Sequence, residues 1–271
     1  MKAKKRGQIE ALLNDESIPA VDELKSFNFR VVEVPVSKLR RIAASDDVAY
    51  ISSDRELEPL GHIEAETGIR EMRLGNGNSG IEGKDIGIAI VDSGIYKGHH
   101  SLGGRIDAKV DFTGEGVVEE DPYGHGTHVA AMAAANEHVA RGAYSGPAIS
   151  SKIINLRVLD SHGNGLSSNL LRALDWILAP TDSNKPLGEK NHQKYKIRVV
   201  NLSLGTLAVD SYVNDPLCLA VRRLANAGIV VVVAAGNNGK DSEGNKLYGH
   251  IHSPGNEPSA ITVGAVNTFG T

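Results

Sequence analysis

Hydrophobic positions change their period along this chain. Phe27-Asn28-Phe29-Arg30-Val31-Val32-Glu33-Val34 alternates in part, which predicts a half-buried strand. Leu39, Ile42 and Ala43 then recur at helical spacing behind Ser37, a candidate cap. Val48-Ala49-Tyr50-Ile51 predicts a second strand, and residues 8–13 the end of an earlier helix. Strand, helix and strand with short joints make a βαβ-like pattern. A strand ahead of the first helix would complete a two-layer α+β unit, and the chain is expected to begin too late to contain one.

From residue 86 the apolar runs become continuous. Residues 86–91 read as a strand buried on both faces, and 153–159, 197–202, 229–235 and 261–266 as further strands. Helices fall between them. A small-residue helix covers 129–136, headed by His125. Leu170, Leu171, Leu174, Ile177 and Leu178 lie at helical spacing behind Ser167 or Ser168, either of which is a candidate cap. Another helix runs from Asp215-Pro216 through Leu217, Val221 and Leu224 to a stop at Gly228. The alternation predicts an α/β fold: a mainly parallel sheet with helices on both faces. Polar residues 180–196, with two prolines, read as a surface insertion. Three parts result: a small unit over 1–60, a linker over 61–85, and the α/β domain over 86–271.

Composition narrows the function classes. The chain has 271 residues, 41% hydrophobic and 23% charged, as in an ordinary soluble globular protein. A formal net charge of −4 gives no reason to expect nucleic acid or an anionic membrane as partner. The one cysteine, Cys218, excludes an intrachain disulfide and reads as a small core residue. There is no apolar run long enough for a transmembrane helix. The basic start Met1-Lys2-Ala3-Lys4-Lys5-Arg6 lacks the apolar stretch of a secretory signal.

Candidate chemistry sits at the strand ends. Gly75-Asn76-Gly77-Asn78-Ser79-Gly80 matches GxGxxG, but its strand comes after it rather than before, so it reads as a loop. Gly83-Lys84-Asp85 fails the phosphate-loop pattern, because Asp85 stands where Ser or Thr is required. His125 and His128 are one helical turn apart, yet no nearby cysteine or third histidine completes a metal site. Asp92 ends the first long strand, Asn201-Leu202-Ser203-Leu204-Gly205 ends another, and Ala235-Gly236-Asn237 ends the most apolar one. In an open parallel sheet, ligand chemistry gathers outside the carboxyl ends of the strands. Asp92, Ser203 and Asn237 should therefore share one edge, with the head of the His125 helix beside them. Taken singly, Asp92 and Asn237 are also ordinary turn or cap residues, and His125 a satisfied histidine in a glycine turn.

Taken together, Asp92-Ser93-Gly94, His125-Gly126-Thr127-His128, Asn201-Leu202-Ser203-Leu204-Gly205 and Ala235-Gly236-Asn237 resemble successive motifs of the subtilisin-like serine proteases, in that family's order. Ser253-Pro254-Gly255 and Ile261-Thr262-Val263-Gly264-Ala265 match too. Residues 27–57 resemble the later part of the inhibitory propeptide, a small α+β unit of ferredoxin-like fold. The resemblance implies a serine endopeptidase acting on polypeptides, with its own propeptide as a partner and an extracellular location. Asp92 and His125 would be triad members, and Asn237 an oxyanion donor. Ser203, Leu204 and Gly205 would pair with substrate backbone. The family's Gly-Thr-Ser-x-Ala nucleophile motif does not occur, so the chain is expected to be a zymogen fragment, cut inside the propeptide and before the serine, and inactive as it stands. No cofactor is needed for the chemistry. A structural calcium is compatible with the family, but no site for it can be placed, and no metal ligand is assigned. The alternative from another class is a non-catalytic, peptide-binding pseudoprotease.

Overall fold

The computed structural model describes residues 2–3, 9–59, 81–116, 120–136 and 145–265. The GxGxxG stretch at 75–80 lies outside them.

The first unit contains β1 (Lys2–Ala3), α1 (Ile9–Asp15), β2 (Ala20–Leu24), β3 (Phe29–Val32), α2 (Val36–Ala43) and β4 (Val48–Tyr50). Its sheet has the order β2-β3-β1-β4, with every neighbouring pair antiparallel. The strand expected to be lacking is therefore present as β1, central in the sheet although only two residues long. Strand β2 escaped the sequence reading because Ala20-Val21-Asp22-Glu23-Leu24 is mostly exposed and carries two acids. Helix α2 starts ahead of Ser37, with Pro35 as its N-cap and no side-chain cap bond. Ile9, Leu13, Ile18, Ile42 and Val48 form a small core within this unit. Leu24, Phe27 and Phe29 do not belong to that core; they are buried in the main one.

The second unit is built on six parallel strands: β6 (Gly87–Asp92), β7 (Ile106–Asp111), β8 (Lys152–Arg157), β10 (Ile197–Leu202), β12 (Val230–Ala234) and β13 (Ile261–Val263). Their order is β13-β12-β10-β6-β8-β7. Alternate residues of β6 face opposite sides. Ile88 and Ile90 pack with Val129, Ala130 and Ala134 of α3 (His125–Ala134). Ala89 and Val91 join the main core with Leu170, Leu174 and Ile177 of α4 (Ser167–Leu178) and with Leu217, Val221 and Leu224 of α6 (Pro216–Asn226). Each fully buried aliphatic side chain contributes roughly 1.5–3 kcal/mol, so the sheet is held from both sides. Helix α3 begins at His125 and stops at Ala134, short of the predicted 136. The polar segment 180–196 carries the short helix α5 (Asn191–Lys194). Strand β7 was not predicted, since Ile106-Asp107-Ala108-Lys109-Val110-Asp111 mixes charge into an edge strand.

A third sheet joins the two units. Strand β5 (Glu56–Pro59) lies between β9 (Gly165–Leu166) and β11 (Leu204–Gly205), antiparallel to both.

Candidate active site

Strand β6 is the topological switch of the main sheet. The chain leaves it toward β8 and β7 on one side and returns to β10, β12 and β13 on the other. Asp92 is its last residue and is buried. Helix α3 starts against that end. A Cβ on Gly126 would sit 2.2 Å from the Gly94 carbonyl oxygen and 3.1 Å from the Asp92 Cβ, so only glycine allows this approach. The approach brings His125 Nδ1 to 2.7 Å from Asp92 Oδ1, with both side chains almost wholly buried. Burial pushes the Asp92 carboxyl above its ordinary range, while the His125 bond and the Ser93 N–H pull it down. A carboxylate so placed fixes the imidazole tautomer and favours the imidazolium, leaving the ring's other nitrogen to exchange protons.

The other predicted residues lie along the same edge. Ser203 follows the end of β10, the strand next to β6, and its Oγ accepts from Asn201 Nδ2 at 2.9 Å. Leu204 and Gly205 are buried and form β11, paired with Pro59 and Glu58 of β5. Asn237 stands in the turn after β12, exposed, next to Gly236. Gly236 has φ +107°, and a Cβ there would lie 2.0 Å from the His252 Nδ1. The His252 N–H donates to Ala235 O, and Ser253 and Thr206 exchange backbone bonds of 2.8 and 2.9 Å. The 203–206, 235–237 and 252–253 segments thus wall one end of the edge. Ser253 is fully buried, with its Oγ 3.7 Å from the Cys218 Sγ. Burial pushes the Cys218 thiol up to about 12, which leaves it a neutral core group.

Sequence reasoning missed the second wall of the cleft. Strand β9 pairs Gly165 with Leu57 and Leu166 with Glu56, so an extended segment is held on both sides. The signal available was Gly163-Asn164-Gly165 just before the α4 start. Neither Ser167 nor Ser168 caps α4 with its own side chain. The cap comes from the first unit: Asp54 Oδ1 accepts the Ser168 N–H at 2.7 Å, and Arg55 O accepts the Ser167 N–H at 2.6 Å. Arg55 also pairs with the buried Asp215 at 2.8 Å, and Asp215 in turn caps α6 through the Leu217 N–H. Among the described residues, no group of three or more His, Cys, Asp and Glu side chains is placed to hold a metal ion.

Fold and site define an α/β protein with a carboxylate–imidazole pair at its sheet switch point and a strand-binding cleft along the same edge. Comparison places it more narrowly. Residues 83–270 match the model of the subtilase family, and the chain belongs to that family. It is 31% identical to the serine protease AprX of Bacillus subtilis (strain 168) over 265 residues, which are 97% of this chain and 56% of the relative. It is 33% identical to an extracellular serine proteinase of Thermus sp. (strain Rt41A), over 88% of this chain and 52% of the relative. It is also 34% identical to proteinase T of Parengyodontium album, over 67% of this chain and 53% of the relative. The chain spans about half the length of the curated relatives it matches.

Proposed function

We propose that this chain is part of a serine endopeptidase zymogen. The 2.7 Å bond between His125 Nδ1 and Asp92 Oδ1 carries the reading. His125 takes the proton from a serine hydroxyl as that oxygen attacks the scissile carbonyl, then returns it to the leaving amine. Asp92 keeps the tautomer and stabilises the imidazolium. Asn237 donates its side-chain amide to the oxyanion. Ser203, Leu204 and Gly205 hold the substrate backbone on one side. The serine is supplied by a segment outside residues 1–271.

Residues 1–60 are the inhibitory unit in this reading, and β5 occupies the place of a substrate. Its register, with Pro59 beside Leu204 and Glu58 beside Gly205, supports this assignment. The protein acts outside the cell in this reading, as the name of the extracellular serine proteinase of Thermus says of that relative.

Two measurements on the full-length protein test the reading. Asn237→Ala should lower kcat roughly 10²–10³-fold with little change in KM, since the oxyanion exists only near the transition state. A variant that loses KM and keeps kcat would make Asn237 a ground-state binder. A fluorophosphonate probe should label a serine beyond residue 271, and a label on Ser203 or Ser253 would contradict the assignment.

A further inference from the structure

Asp121 lies in the turn before α3, in neither of the elements that carry the Asp92–His125 pair, and is half-buried. Both of its oxygens are fully engaged. Oδ1 accepts the Ser93 hydroxyl at 2.8 Å and the Gly124 N–H at 2.9 Å. Oδ2 accepts the Thr127 N–H at 2.8 Å and the Thr127 hydroxyl at 2.7 Å. Ser93 then works in both directions. Its hydroxyl accepts the Gly126 N–H at 2.9 Å, and its own N–H donates to Asp92 Oδ1 at 2.7 Å. The Thr127 hydroxyl similarly accepts the Tyr96 N–H at 2.9 Å.

We infer that Asp121 is a positioning residue for the Asp92–His125 pair, clamping the first turn of α3 to the end of β6. The inference rests on the peptidase reading above and deepens it. One carboxylate grips Ser93, next to Asp92, and Gly124 and Thr127, on either side of His125. It spans the same gap as the Asp92–His125 bond by a separate route, so the first turn of α3, and with it the His125 backbone, cannot move away from β6 without breaking bonds to Asp121. The chemistry calls for an acid here. Four donors converge on two oxygens, and the two hydroxyls also accept, so every proton in the ring of bonds has one direction. An asparagine offers one oxygen and turns an amide donor against either Thr127 or Ser93. Bonds to a charged acceptor are also stronger than neutral ones. The Asp121 charge reaches the pair as well: it adds, behind burial, to the upward push on the Asp92 carboxyl.

The test compares the parent with Asp121→Asn in two ways. In full-length protein, kcat should fall roughly ten- to a hundredfold, as expected when a catalytic group is misplaced by an ångström or less, while KM stays within about twofold. In the 271-residue chain, the low-field proton resonance of His125 Nδ1–H should shift or broaden. Ser93→Ala removes one arm and no charge, so it keeps the test open if Asp121→Asn does not fold. It should lower kcat less, and the double variant should be no worse than Asp121→Asn alone. Parent kcat and an unmoved His125 resonance in both variants would overturn the positioning role. A parent protein that hydrolyses no peptide, with the resonance in place, would instead defeat the peptidase reading on which the role rests.

Discussion

A methyl group on Gly126 would meet the Gly94 carbonyl oxygen at 2.2 Å, a backbone atom with little room to give. Gly126→Ala should therefore push α3 off β6. The expected cost is about 3 kcal/mol, with a loss of activity near a hundredfold as His125 moves. Thermal unfolding and kcat measured together check this; unchanged values would mean that the contact is softer than its geometry. Asp92 shows the opposite trade. Its carboxyl is raised by burial, so the folded chain holds that proton to higher pH than the unfolded chain does. Stability is then lost as pH rises from the ordinary carboxylate value through the raised one of the folded chain, and the ionised Asp92 weakens the fold above it. Asp92→Asn should raise Tm at pH 7, while the full-length protein, under the proposed function, loses roughly 10⁴-fold in kcat through the wrong histidine tautomer. A lower Tm in the variant would mean that the His125 bond outweighs the burial.

Elements were legible where one physical cause acted alone. The β10 boundaries, Ile197–Leu202, follow directly from its apolar run, and α6 from Asp215-Pro216 at one end and Gly228 at the other. The Asp215 carboxylate does accept the Leu217 N–H, as a cap should. Strands β2 and β7 were hidden because exposed edges need no apolar pattern. Strands β9 and β11 are two residues each and exist through their pairing with β5, which no local sequence rule encodes. The α4 cap was misread for the same reason: its acceptor, Asp54, lies 114 residues away. Motif and sheet-edge reasoning placed Asp92 and His125 at one edge, where they do meet at 2.7 Å, whereas Ser93 and Asp121 were given no part in that arrangement because their bonds form only in three dimensions. The Arg55–Asp215 pair belongs to this scale. Arg55→Ala would leave a fully buried carboxylate without its cation, at a cost of about 3 kcal/mol. Hydrogen exchange of the Ser168 amide, measured in the intact chain, should speed by about a hundredfold. Unchanged exchange would show that Asp54 holds α4 without Arg55.

Across the whole molecule, the first unit meets the α/β domain through three kinds of contact. Leu24, Phe27 and Phe29 lie in the main core. Polar bonds surround them: the Ser26 N–H to Asp175 at 2.8 Å, the Ser52 hydroxyl to Asp210 at 3.1 Å, and Tyr50 to the same Asp210. Strand β5 then enters the cleft by backbone pairing. Burying three large apolar side chains and a charge pair makes the first unit part of the fold, and its chain end leads to the edge that carries Asp92 and His125. In the proposed function this geometry makes the protein its own first substrate, with cleavage just past the strand that fills the cleft. N-terminal sequencing of matured full-length protein, beside a His125→Ala control, measures that claim directly. The expected result is a mature N-terminus within about residues 55–75 for the parent and no processing in the control, since a triad without its base keeps little activity. A mature start before Phe27 or beyond Asp85, or equal processing of the His125→Ala protein, would contradict the account.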